Sequence, residues 1–208
     1  HQSFLPLPLD NNYTDRYNRG MNNQKLLLDV ALKLFSERGY DGVGVQEVVD
    51  LAQVTKPTLY HYFSSKRGLL DALLRKGFMP FLGTLKAAAQ YEGDLTRSLE
   101  KVIRLYFDFA KEQPDFYRMQ LGMHFAPYQS DADTAVALYG AEQTNLIEAL
   151  FRAAEIDHGN MRGRAAQYGA SFLGMLNTYI NLAINHQIEL DDSLVYKVLH
   201  QFMHGIFS

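Results

Sequence analysis

Between Val54 and Phe63 the chain reads V-T-K-P-T-L-Y-H-Y-F, a run dense in groups that can meet a polyanion. It offers the ammonium of Lys56, the hydroxyls of Thr55, Thr58, Tyr60 and Tyr62 and the imidazole of His61, with no acid among them. Read as a helix, the run hides only Leu59 and Phe63 and turns Lys56, Thr58, Tyr60, His61 and Tyr62 outward. Such a face complements the phosphates and base edges of a DNA groove. On a plainly solvated surface the exposed rings would gain nothing.

Roles follow from position. Thr55 caps the helix, and Pro57 sits in the first turn, where its missing N–H costs nothing. Thr55 and the open N–H groups behind it can receive a phosphate at the positive end of the helix dipole. Lys56 supplies a counter-charge, Thr58 and His61 point toward base edges, and Tyr60 and Tyr62 donate to phosphate oxygens. Gln46, at the start of the preceding helix, reaches a base or a phosphate. Lys66 opens the next helix as a further phosphate contact.

Other chemistries find little support. The chain has no cysteine, which removes disulfides, zinc–thiolate sites and thiol nucleophiles and fits a reducing cytoplasm. No nucleophile–base pair, paired carboxylates, metal-ligand set or Gly-rich phosphate loop stands out, so we expect no enzyme activity, no cofactor and no metal. His200 and His204 have the i, i+4 spacing of metal ligands, but only Asp191 and Asp192 lie near them in sequence, and they read as a solvated face. His124, His158 and His186 carry no pattern. The competing reading from another class is an all-α small-molecule carrier or enzyme that does not touch DNA.

The elements that must position this face are helical throughout. The 208 residues are 47% hydrophobic and 21% charged, ordinary for a globular protein with a sizeable core. Residues 22–38 carry Leu26, Leu27, Val30, Ala31, Leu34 and Phe35 on one stripe, and Gly39 stops the helix. Residues 45–52 form a short second helix, with Val45, Val48, Val49 and Ala52 for the core. A tight connection leads to the helix at 56, and Ser64-Ser65 ends that helix and caps the next. Further helices are expected over 66–90, bent near Gly77 to Pro80, then 95–112, 114–123, 131–156, 161–188 and 191–207. Residues 1–76 carry 10 Lys/Arg and 8 Asp/Glu, a net of +2, against 10 and 15, a net of −5, for residues 77–208. The basic excess falls where the helical motif lies. Ala165 to Ile188 contains no Asp, Glu, Lys or Arg, but its Gln167, Asn177, Asn181, Asn185, His186 and Gln187 argue for a helix buried among helices rather than a membrane span.

The helices at 45–52 and 56–62 make a helix-turn-helix of the usual size, whose second helix enters the major groove. The stretch Leu28 to Leu74, with A-L-K-L-F-S-E-R-G-Y, T-L-Y-H-Y-F and S-K-R-G-L-L, closely resembles the N-terminal domain of the TetR family of transcriptional regulators. The resemblance implies that Lys56, Thr58, Tyr60 and His61 meet DNA while Lys66 holds the backbone. It also implies a ligand pocket and a two-fold dimer in the C-terminal part. Three positions depart from the family pattern. Gly44 stands where Ser or Thr usually caps the second helix, Val49 replaces a usual alanine at the helix crossing, and Gln53 replaces the usual glycine of the turn, which would force φ > 0 on a side chain.

We therefore expect an all-α chain in three parts: a disordered arm or vector-derived leader over 1–20, a helix-turn-helix domain over 21–67, and an effector-binding and dimerisation domain over 68–208. An arm could carry Arg16 and Arg19 into a minor groove. Candidate pocket residues are Phe107, Tyr117, Met123, Tyr139, Phe172, Met175 and Tyr179, with Asn177 or Tyr179 orienting a ligand, although aromatic and Met stripes at helical spacing are more often plain core. Ala166, Ala170 and Gly174, four apart, would let a partner helix approach closely. Leu194, Val198, Phe202 and Ile206 give the last helix an apolar stripe for the same dimer. Asn177, Asn181 and Asn185 form a polar row that lines a cavity or pairs across that interface. The expected partners are double-stranded DNA, a small-molecule effector of unknown identity and a second copy of the chain, with no membrane.

Overall fold

A computed structural model describes residues 11–205, and side chains from residue 23. Among them the chain is all-helical: α1 (Asn11–Arg38), α2 (Val45–Leu51), α3 (Lys56–Phe63), α4 (Lys66–Ala88), α5 (Leu95–Glu112), α6 (Pro114–His124), α7 (Asp131–Ala154), α8 (Ala165–Ile184) and α9 (Asp192–His204). A single 3₁₀ turn at Gly159–Met161 precedes α8. The helix expected from residue 22 starts upstream, at Asn11. Residues 1–10 and the side chains of Arg16, Arg19 and Ile206 lie outside the described residues. The chain divides into two compact units between Ala72 and Leu73, within α4.

In the first unit, α1 presents Leu27, Leu28, Ala31, Leu34 and Phe35 to the core. The buried stripe is rotated from the expected one, since Leu26 is 40% exposed and Leu28 is buried in its place. Gly39 takes φ +74° and lets the chain leave α1. The same unit buries Val48 and Val49 of α2, Leu59 and Phe63 of α3, and Leu69 and Leu70 of early α4. Each such apolar side chain contributes roughly 1.5–3 kcal/mol relative to exposure.

The second unit is built around aromatic rings. Phe81 stacks on Phe109 with centroids 4.3 Å apart and meets Tyr106 edge-on at 4.9 Å. Phe78 stacks on Tyr139 at 4.7 Å and meets Phe116 edge-on at 5.0 Å. That last contact depends on Gly77, where a Cβ would fall 2.3 Å from the Phe116 ring. A second cluster joins Phe151, Phe172 and Phe202, with the latter two 5.0 Å apart. The buried Tyr106 hydroxyl donates to Gln143 Oε1 at 2.9 Å, and Gln143 Nε2 donates to the Tyr139 carbonyl at 3.1 Å, so the polar atoms inside this apolar region are satisfied. Burial pushes the Tyr106 phenol up, which keeps it a donor.

Candidate DNA-binding face

The face is prepared by α2. Its N-terminus falls on Gly44, in an extended conformation, and Gly44 has no side chain to cap the helix. Glu47 compensates in part: its Oε2 accepts the Gly44 N–H at 3.2 Å, and its Oε1 accepts from Arg38 at 3.1 Å. The Arg38 hydrogen bond and then the Gly44 N–H hold the Glu47 carboxyl below its usual pKa. Arg38 also donates to the Gly42 carbonyl at 2.8 Å, so one guanidinium ties the end of α1 to the start of α2.

The turn into α3 bears out the strain expected at Gln53, which adopts φ +52°. Its N–H is met by the Asp50 carbonyl at 3.2 Å, and the Val54 N–H by the Val49 carbonyl at 3.0 Å. Val49, larger than the residue the family pattern places there, is nevertheless buried at the crossing. Thr55 then caps α3: its Oγ1 accepts the Thr58 N–H at 3.4 Å and lies 2.9 Å from the Thr58 hydroxyl. At the far end Ser64 takes φ +63°, and Ser65 Oγ accepts the Gly68 N–H at 2.9 Å to open α4. Gly68 has to be a glycine, because a Cβ there would lie 1.9 Å from the Phe63 carbonyl oxygen.

With Leu59 and Phe63 as anchors, the 100° step of the helix turns Lys56, Pro57, Tyr60 and His61 to solvent, while Thr58 and Tyr62 flank them half-buried. Tyr60 is 44% exposed. The His61 and Tyr62 rings meet edge-on at 5.2 Å, so they are presented as a pair. Two expected contacts are already engaged. The Lys66 ammonium sits 4.0 Å over the Tyr40 ring, and Gln46 Nε2 donates to Asp50 Oδ1 at 2.6 Å. Lys66 is therefore held at a ring face and half-buried, while Gln46 remains exposed on α2.

The second unit departs further from expectation. Phe107, Tyr117, Met123 and Phe172 are each at most 3% exposed and belong to the close-packed core. Tyr139 stacks on Phe78, Met175 is half-buried, and the Tyr179 hydroxyl donates to Gln201 Oε1 at 2.7 Å, tying α8 to α9. None of these seven lines either of two larger cavities of this unit, although Phe107 lines a smaller one of about 240 Å³ beside the start of α9. One cavity, of about 560 Å³, lies at the end of α5 and the start of α6 beside the α8–α9 connection. The other, of about 720 Å³, lies between α6 and α8, with Arg118, His124, Asn177 and Asn181 in its wall. Composition gave no sign of Arg118 as a wall residue; of the Asn row, left open between a cavity wall and an interface, Asn177 and Asn181 line this cavity. Asn185 instead donates to Asn181, at 2.9 Å to its carbonyl and 3.3 Å to its Oδ1.

The expected dimer surface divides. Ala166, Ala170 and Gly174 lie exposed along α8. On α9, Val198 is fully buried in its own chain, Phe202 packs on Phe151 and Phe172, and Leu194 is half-buried. The α9 stripe covers α5 and the second ring cluster, so Val198 has no surface left for a partner. Ile206 lies outside the described residues. Among the described residues no helix is long and apolar enough to cross a membrane, and no three His, Cys, Asp or Glu stand close enough to hold a metal ion.

A capped, proline-started helix held on two apolar anchors, with a cationic and aromatic outer face and a short helix before it, defines a helix-turn-helix DNA-binding domain, here followed by a larger helical unit. Residues 27–73 match the family model of bacterial regulatory proteins of the tetR family. The transcriptional activator FasR of Mycolicibacterium smegmatis is 33% identical over 93 residues, which are 45% of this chain and 42% of FasR. The match thus spans less than half of that relative's length. Among solved structures, the regulator FadR of Bacillus subtilis in complex with stearoyl-CoA has a TM-score of 0.72 at 18% identity, covering 88% of this chain and 98% of that one. AibR in complex with isovaleryl coenzyme A and operator DNA has a TM-score of 0.69 at 19% identity, covering 86% and 97%. At these identities the likeness is one of fold. These relatives are named as transcriptional regulators.

Proposed function

We propose that the chain is a ligand-responsive transcriptional regulator, most simply a repressor, that acts in the cytoplasm as a homodimer on a palindromic operator and is released by a small-molecule effector. The observation that carries this reading is the exposed Lys56–Tyr60–His61 face of α3, cation and rings without a carboxylate, on a helix anchored by Leu59 and Phe63. In the major groove Lys56 would neutralise a phosphate, His61 and Thr58 would meet base edges, and Tyr60 and Tyr62 would donate to backbone oxygens. A dimer places two such helices in successive major grooves, about 34–36 Å apart. An effector that favours a mis-spaced pair lowers affinity; a hundredfold loss needs only about 2.7 kcal/mol of coupling. The two neighbours bound to CoA esters make acyl compounds the first effectors to try.

The test is a selection of genomic fragments retained by the purified protein, repeated with the double variant Tyr60→Ala, His61→Ala. Both side chains are exposed, so the variant should fold and associate as the parent does while retaining no specific fragment. Equal retention of the same fragments by parent and variant would defeat the assignment of α3.

A further inference from the structure

The cavity between α6 and α8 has a lining whose charge is unusually simple. Among the described residues it carries one guanidinium, that of Arg118, and no carboxylate. His124 also lines it, and the protein packed about that imidazole disfavours its charged form, with Asp133 opposing in smaller measure. Of the remaining polar groups, the two amides turn donors to the cavity, since Asn177 Oδ1 and Asn181 Oδ1 both accept hydrogen bonds within the protein. The buried Tyr117 hydroxyl donates to Asn177 Oδ1 at 2.7 Å, which fixes the amide and leaves Asn177 Nδ2 as the group available to the cavity. Thr178 spends its hydrogen on the Gly174 carbonyl at 2.9 Å. Arg118 itself gives one N–H to the Ile184 carbonyl at 3.1 Å and forms a loose, half-exposed ion pair with Asp115 at 3.7 Å, which a better-placed carboxylate would displace. The apolar part of the wall includes Leu121 and Phe125, and Phe125 is 89% exposed at the cavity rim. An aromatic ring so placed gains from any apolar body laid against it.

We propose that this cavity binds a free monocarboxylate with an apolar tail, its carboxylate on Arg118 and the Asn177 amide, its tail against Leu121 and Phe125. At about 720 Å³ the cavity is within the range of about 300–1,000 Å³ typical of small-ligand sites. One guanidinium matches one carboxylate in a two-point contact. It does not match a CoA ester, whose acyl carbonyl is uncharged and whose phosphates would find a single cation here. The cavity at the end of α5 offers Lys111 and Arg118 but also Asp115, Glu189 and Asp191, and a smaller one beside it sets Arg104 and Lys111 against Asp108, Asp191 and Asp192, so neither supplies the missing positive charge. The proposal rests on reading the second unit as the effector-binding part, and it names the chemical form of the effector. Gly174, in the cavity wall, is also the last of the exposed α8 stripe, so an occupant would lie beside the proposed partner surface.

Binding can be measured directly by calorimetry on the full chain, with no DNA present, using decanoate, methyl decanoate and decanoyl-CoA as probes. Decanoate should bind at least tenfold more tightly than either ester. Arg118→Gln should weaken decanoate at least tenfold and leave methyl decanoate unchanged, while Lys111→Gln changes neither. Leu121→Trp, which fills the cavity, should abolish decanoate binding in a variant with unchanged melting temperature. Equal affinity for acid and methyl ester, tighter binding of the CoA ester, or decanoate binding unaffected by Arg118→Gln in a variant with unchanged melting temperature would each overturn the proposal. Because no DNA enters the titration, those outcomes are separate from a failure of α3 to bind an operator.

Discussion

Gln53 shows how one residue can carry strain that its neighbours tolerate. Its φ of +52° places a side chain where glycine is at ease, and the hydrogen bonds on either side of it are intact. Gln53→Gly should therefore raise the melting free energy by up to about 1 kcal/mol, the relief of strain being offset partly by a freer unfolded chain. A denaturant titration that shows no gain would mean the turn is unstrained. Thr55 is the opposite case. Its cap on Thr58 makes Thr55→Ala a loss of about 1 kcal/mol, largely restored by Thr55→Ser, as read from the same titration. Glu47 adds a pH dependence. Its carboxyl is held below the usual value by Arg38 and the Gly44 N–H, so the clasp between α1 and α2 is fully made above about pH 4.5 and is lost as pH falls through the lowered value. Glu47→Gln should flatten the acid limb of a stability–pH curve in that window. The strained turn and the Thr55 cap were legible in the sequence, because caps and turns are local. The Arg38 clasp was not, since it needs the fold to bring residue 38 to residue 47.

At the scale of elements, local signals placed most boundaries within a few residues. Asp94 before α5 and Pro114 after it bracket Leu95–Glu112, and Asp94 Oδ1 accepts the Arg97 N–H at 2.9 Å. Rotation about a helix axis was less legible. On α1 the apolar residues are plentiful enough to form two neighbouring stripes, and packing against α2 and α3 buried the one containing Leu28. On α9 the stripe was apparent but its partner was not, because apolar residues look alike whether they cover their own chain or another. The inside of α4 shows the cost of a close approach. Gly77→Ala would drive a methyl into the Phe116 ring, and we expect a destabilisation of about 1–3 kcal/mol from overpacking. A thermal melt of this variant, set beside Gly77→Ala with Phe116→Leu, should show partial recovery in the double variant. Equal melting of parent and single variant would mean the helix can shift freely there.

For the whole molecule, charge and assembly decide behaviour that no single residue predicts. The first 76 residues carry a net of +2 in a chain of net −3, so attraction to DNA has to come from a local face and be strongly screened. Affinity for a retained fragment should fall at least tenfold between about 50 and 200 mM salt; an affinity indifferent to salt would argue against phosphate neutralisation as its source. The exposed Ala166–Ala170–Gly174 stripe belongs to the same scale. Ala170→Arg, a change on an exposed position, should shift sedimentation from dimer to monomer and weaken operator binding. Sedimentation unchanged by that substitution would exclude α8 as the dimer surface.

From residues alone came the all-helical class, the position of the helix-turn-helix, the capped and proline-started α3 and the exposure of its Lys56, Tyr60 and His61. These follow from periodicity, capping and backbone preference, all of which act over a few residues of chain. Tertiary structure decided the rest: that Tyr117 and Phe172 are packed core, that Val198 is spent within its own chain, and that Arg118 and Asn177, 59 positions apart in sequence, share one cavity. Cavities and covered faces arise from how helices meet, and the free energy of apolar burial does not distinguish, residue by residue, which neighbour provides the cover.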